Sequence, residues 1–169
     1  MITTVLFDLD GTLLPMNQDV FIGAYLSGLT AKMAPFGFDP REIAKAIWAG
    51  TGAMVKNDGS ARNEEVFWKV FSQICGRDML EFYSPIEAFY REEFQLVRHS
   101  CGFDARSAET IRALKEKGLT IALATNPLFP AIATHSRVRW AGLEPEDFAH
   151  ITTYENSRHC KPNPDYYRD

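Results

Sequence analysis

Near its start the chain runs Thr3-Thr4-Val5-Leu6-Phe7 and then breaks into Asp8-Leu9-Asp10-Gly11-Thr12. Consecutive apolar residues, rather than alternating ones, predict a strand buried on both faces. Gly11 supplies the backbone freedom of a tight turn. The strand therefore delivers Asp8 to its C-terminal tip, where open α/β sheets place their ligands. Side chains two apart in extended chain point the same way, and a turn at Gly11 can bring Asp10 beside Asp8. Two carboxylates there can divide the work of nucleophile and acid/base, or hold a hard cation through oxygen. The plainer alternative is a capped turn, with Asp8 or Asp10 as the N-cap of the next helix.

Residues 16–97 read as predominantly helical. A helix opens at Asp19 and runs to about Met33. Asp39-Pro40-Arg41-Glu42 is a helix start, with Asp at the N-cap and Pro in the first turn. Ile43, Ala46 and Ile47 then form an apolar stripe, and Gly50-Thr51-Gly52 predicts a break. A loop is expected at Asn57-Asp58-Gly59-Ser60. Asn63-Glu64-Glu65 leads a helix with Val66, Phe67, Val70, Phe71 and Ile74 inward, stopped at Gly76. Ser84-Pro85-Ile86-Glu87 begins the next, carrying Phe89, Tyr90, Phe94 and Val97. Four helices without a strand predict a small bundle with its own aromatic core.

From about residue 102 the pattern changes. Asp104 to Lys117 is a helix, Leu119 to Ala124 a short buried strand, Pro130 to Ala141 a helix, and Phe148 to Thr152 a weaker strand. An α/β sheet with a helical insertion after its first strand follows. Thr125 then stands at the tip of the second strand as Asp8 does at the first. A hydroxyl and the free amides of such a turn suit phosphoryl oxygens. Lys161-Pro162-Asn163-Pro164 holds a lysine in a stiff extended segment, able to offset charge near a phosphate.

Asp8-Leu9-Asp10-Gly11-Thr12, Ala122-Leu123-Ala124-Thr125-Asn126 and Lys161-Pro162-Asn163-Pro164, in that order, resemble three signature motifs of the haloacid dehalogenase superfamily. The resemblance covers residues 1–15 and 98–169 and implies a Rossmann-like parallel-sheet core. Residues 16–97 resemble the family's inserted α-helical cap. It implies a Mg²⁺-dependent phosphohydrolase working through an aspartyl-phosphate on a small phosphorylated metabolite. Asp8 would be the nucleophile and Asp10 the acid/base, with Thr12 orienting Asp10. Thr125 and Asn126, with Leu9, would bind phosphate, and Lys161 would offset charge. Asp8 and Asp10 would hold the metal. Asp at position 10 argues against dehalogenase chemistry, since family dehalogenases lack a carboxylate there. Thr51 and Lys56, near the predicted selector loop Gly50 to Ser60, are candidate substrate contacts. A phosphomutase of the same superfamily shares Asp8 and Asp10, and a non-catalytic binding module would retain the fold alone.

The family's fourth motif, a strand ending in acidic residues, is expected beyond the helix near Pro164. The sequence therefore reads as a core lacking its C-terminal part. Val5-Leu6-Phe7 would then be an apolar sheet edge, and self-association through it is expected. With 46% apolar and 24% charged residues, the 169-residue chain has an ordinary globular composition. A net charge of −4 argues against a nucleic-acid surface, and no apolar run approaches a membrane span. Cys75, Cys101 and Cys160 are widely spaced and odd in number, which favours a reduced, cytoplasmic setting.

Overall fold

The computed structural model describes residues 2–168. Strand β1 (Thr4–Phe7) is followed by helices α1 (Gln18–Met33), α2 (Pro40–Val55), α3 (Asn63–Cys75) and α4 (Tyr83–Arg91). A 3-10 segment, Glu93–Ser100, leads on to α5 (Ala105–Glu116), β2 (Thr120–Leu123), α6 (Ala131–Trp140) and β3 (His150–Ile151). The strands form a parallel sheet in the order β1-β2-β3, pairing Leu6 with Ala122 and Ala122 with His150. Local chemistry sets the helix starts. The carboxylate of Asp39 accepts the amides of Arg41 and Glu42, Asp104 accepts that of Arg106, and Asn17 that of Val20.

Several expectations need correction. β1 is not buried on both faces: it is an edge strand and Leu6 is 55% exposed. Val5 and Phe7 pack with Ile121 and Leu123 into the core, while Leu6 and His150 lie on an uncovered face. α2 does not break at Gly50-Thr51-Gly52 but continues to Val55. Gly50 is there for close approach, because a Cβ on it would lie 2.7 Å from Phe67 Cδ2 of α3. Ile74, read as inward, is exposed.

The aromatics of the helical segment do not form a core apart. One apolar cluster runs from Trp68 and Phe71 through Phe89 and Phe94 to Leu9 and Ile121 beside the sheet. Phe94 of the 3-10 segment meets Trp140 of α6, ring centroids 5.0 Å apart. The start of α3 is also bonded to the loops around the sheet. The Asn63 and Glu64 amides donate to the carbonyls of Ser157 and Tyr154, each at 2.9 Å. The Asn63 side chain donates to the Pro127 carbonyl and to Cys160 Sγ.

Candidate active site

β1 ends at Phe7, so Asp8 emerges where the ladder stops. Leu9, between the two acids, is fully buried and pins the turn to the core. That leaves only its backbone for a ligand. Gly11, at φ 80°, turns the chain back so that its amide donates to the Leu14 carbonyl. The neighbouring tip, after β2, presents Thr125 and Asn126. Asp8, Asp10, Thr125 and Asn126 line one cavity of ≈ 230 Å³, with Phe21 and Phe129 among its apolar walls.

Lys161 reaches this group from the far end of the chain. Its Nζ donates to Asp8 Oδ1 at 2.9 Å, and its backbone amide donates to Asn126 Oδ1 at 3.1 Å. Asn126 therefore positions the lysine as well as facing the cavity. The Thr125 carbonyl is held by Thr152 Oγ1 at 2.6 Å and by the Tyr166 hydroxyl at 2.9 Å. Burial pushes the Tyr166 phenol up to about 12, so at neutral pH it stays a donor to that carbonyl.

Asp10 has a partner that the sequence reading missed. Arg137 on α6, 1% exposed, donates to Asp10 Oδ2 and stacks over the Phe129 ring at 4.4 Å. The other oxygen, Asp10 Oδ1, is buried with no hydrogen-bond partner among the described residues. A buried acceptor without a donor is a place where a proton, a water or a cation belongs. Thr12, expected to orient Asp10, is exposed and makes no side-chain hydrogen bond among the described residues; Arg137 does that work. Thr51 lies away from the acids, on a second, apolar cavity. Lys56 is exposed at the end of α2 and lines neither cavity.

The Asp8 carboxylate facing this cavity, with the Asp10 backbone carbonyl beside it, fits Mg²⁺. That ion takes one or two protein carboxylates and completes its octahedron with water and substrate phosphate. Among the described residues no group of three or more His, Cys, Asp or Glu is placed to hold a metal. Cys160, beside Lys161, is buried against Asn63, and its thiol is pushed up to about 11 by desolvation.

Among solved structures, a HAD-hydrolase of Bacillus subtilis bound to magnesium is similar at 18% identity and TM-score 0.54, covering 99% of this chain and 71% of that one. A HAD phosphatase of Thermococcus onnurineus aligns at 18% identity and TM-score 0.52, over 99% and 69% of the two chains. CbbY of Rhodobacter sphaeroides, in complex with xylulose-(1,5)bisphosphate, aligns at 20% identity and TM-score 0.52, over 99% and 70%. At such identities the likeness is one of fold. No curated protein matches significantly. The family model of the haloacid dehalogenase-like hydrolases matches residues 2–169. With an α/β fold and a parallel sheet that agree with it, this chain belongs to the haloacid dehalogenase-like hydrolases.

Proposed function

We propose that the protein is a Mg²⁺-dependent phosphohydrolase acting on a small phosphorylated metabolite. The observation that carries the reading is the gathering of Asp8, Asp10 and Thr125 around one cavity, with Lys161 bonded to Asp8. Lys161 occupies Asp8 Oδ1, which leaves Oδ2 to attack phosphorus in line. The P–O bond to the leaving alcohol breaks as the bond to Asp8 forms, giving an aspartyl-phosphate. Arg137 holds Asp10 by Oδ2. Oδ1 then gives a proton to the departing oxygen and later takes one from the water that cleaves the acyl-phosphate. Thr125 and the amide of Asn126 face the phosphoryl oxygens, and Lys161 offsets their charge together with that of Asp8. The Asp8 carboxylate and the backbone carbonyl of Asp10 would hold Mg²⁺, which would supply further neutralisation of the phosphate.

Two features weigh between related chemistries. Asp10 supplies the acid/base that ester hydrolysis needs and carbon–halogen cleavage does not. The apolar cavity beside the site carries no lysine or arginine to grip a second phosphate, which favours a phosphatase over a phosphomutase. All three cysteines are free thiols, in keeping with a cytoplasmic setting. No helix among the described residues is long and apolar enough to cross a membrane.

The test is hydrolysis of a broad phosphate-ester panel with Mg²⁺, with and without EDTA, by this chain and by Asp8→Asn. Turnover that needs the metal and falls at least ~10²-fold in Asp8→Asn is expected. Equal turnover by the folded variant would remove Asp8 as nucleophile and the reading with it. A folded chain with no turnover at all would leave a binding module.

A further inference from the structure

Beside the catalytic cavity lies a second one of ≈ 130 Å³, and the two share Ile22, Leu128 and Phe129. Leu128 and Phe129 continue directly from Thr125-Asn126-Pro127. The loop that faces phosphate oxygens at one end therefore walls an apolar chamber at the other. The rest of that chamber is built by the helical segment, with Leu26, Ile47, Phe67, Trp68 and Phe71 among its walls. None of its wall residues carries a charge. The Tyr25 and Tyr90 hydroxyls satisfy each other at 2.9 Å. Among the described residues, the polar groups left to meet a guest are the hydroxyls of Thr51 and Tyr154 and the indole N–H donors of Trp48 and Trp68, the last of them buried without a partner.

We infer that the chamber receives the leaving group, so that the substrates are phosphate monoesters of apolar alcohols with one ring or a short branched chain. The inference rests on the phosphohydrolase reading, because in-line displacement sends the leaving oxygen away from Asp8. A sugar or glycerol moiety would surrender several water hydrogen bonds on entering and find too few partners. An aryl or alkyl group loses nothing polar there and gains contact with Phe67, Trp68 and Phe71. The size agrees, since a dry apolar cavity of ~150 Å³ takes a benzene-sized guest. Thr51, read from the sequence as a substrate contact, becomes a wall residue that sets what this chamber admits.

The experiment has two arms, so the inference and the reading on which it rests can fail separately. In the first, thermal stability of the Mg²⁺-loaded chain is followed with benzylphosphonate, methylphosphonate and glycerol 3-phosphate. Benzylphosphonate is expected to protect at concentrations at least ~10-fold lower than the other two. Equal protection by all three would overturn the inference. In the second, benzyl phosphate and glycerol 1-phosphate are compared as substrates. A kcat/KM ratio above ~10 in favour of benzyl is expected, carried mainly in KM. Turnover with no such preference would overturn the inference and leave the phosphohydrolase reading standing. Absence of turnover would sink that reading, and the phosphonate arm would then decide the chamber alone. Leu26→Trp, which fills the chamber, and Thr51→Asp, which charges its wall, should each abolish the benzyl preference. If either folds and keeps the full preference, the group binds elsewhere.

Discussion

A guanidinium that is 1% exposed has to be neutralised where it stands, and among the described residues the one carboxylate bonded to Arg137 is that of Asp10. Breaking a buried pair by removing one partner costs about 3–5 kcal/mol, because the other charge stays behind. Asp10→Asn should therefore lose about 3 kcal/mol, at the low end because the Asp10 side chain is 23% exposed. Asp8 and Lys161 are 40% and 25% exposed, and Asp8→Asn should change stability by less than about 1 kcal/mol. Urea denaturation of both variants checks the contrast, and Asp10→Asn combined with Arg137→Met should recover much of the loss. Equal stability of the two single variants would mean that Arg137 is not the anchor of Asp10. The sequence carries Asp8, Asp10, Thr125 and Lys161 openly, since the first three follow strands and Lys161 opens a proline-stiffened segment. Arg137 is hidden because nothing distinguishes it locally from Arg139, two residues on, which is half-exposed and pairs with Glu144. Only the fold brings it across 127 positions to Asp10.

At the level of elements, glycine is where local reading and tertiary packing part company. Gly76 and Gly118 end helices in the left-handed conformation, as their positions suggest. Gly50 sits mid-helix and serves the α2–α3 contact instead. Gly50→Ala would gain up to ~1 kcal/mol of helix propensity. It would also press a Cβ to 2.7 Å from the Phe67 ring and 3.3 Å from its carbonyl, with the ring already confined by Trp68 and Phe71. Overpacking of this kind costs about 1–3 kcal/mol, so the net effect should be a loss of about 1 kcal/mol. A lower urea midpoint at unchanged m-value is the expected result. The same limit explains β1: a run of three apolar residues cannot reveal whether both faces of its sheet are covered.

Across the whole molecule, the continuous core implies that the helical segment and the sheet melt together. Burial holds the phenols of Tyr25 and Tyr166 up at about 12, above the ordinary value of 10. Their folded pKa values are raised, so the stability they contribute is whole below pH 10 and is lost as pH rises toward 12. Unfolding followed by circular dichroism should become easier across that window, with late tyrosinate absorbance. If unfolding midpoints stay flat from pH 9 to pH 12, those phenols are not buried in solution. The uncovered side of the sheet has a different consequence. β1 offers an unpaired backbone edge beside Leu6, 55% exposed, with Tyr167, 61% exposed, on the neighbouring surface. We expect reversible self-association there, seen as concentration-dependent sedimentation and weakened by Leu6→Lys. A single monomeric boundary at every concentration would count against it.

The bond from the Asn63 side chain to the Pro127 carbonyl joins α3 to the very loop that carries Thr125 and Asn126. Whatever loosens the first turn of α3 from its supports also tugs on that loop. On the proposed phosphohydrolase reading, uncovering the chamber and letting go of inorganic phosphate would then be one event, and the residence time of the product would be tied to how long that turn stays fastened.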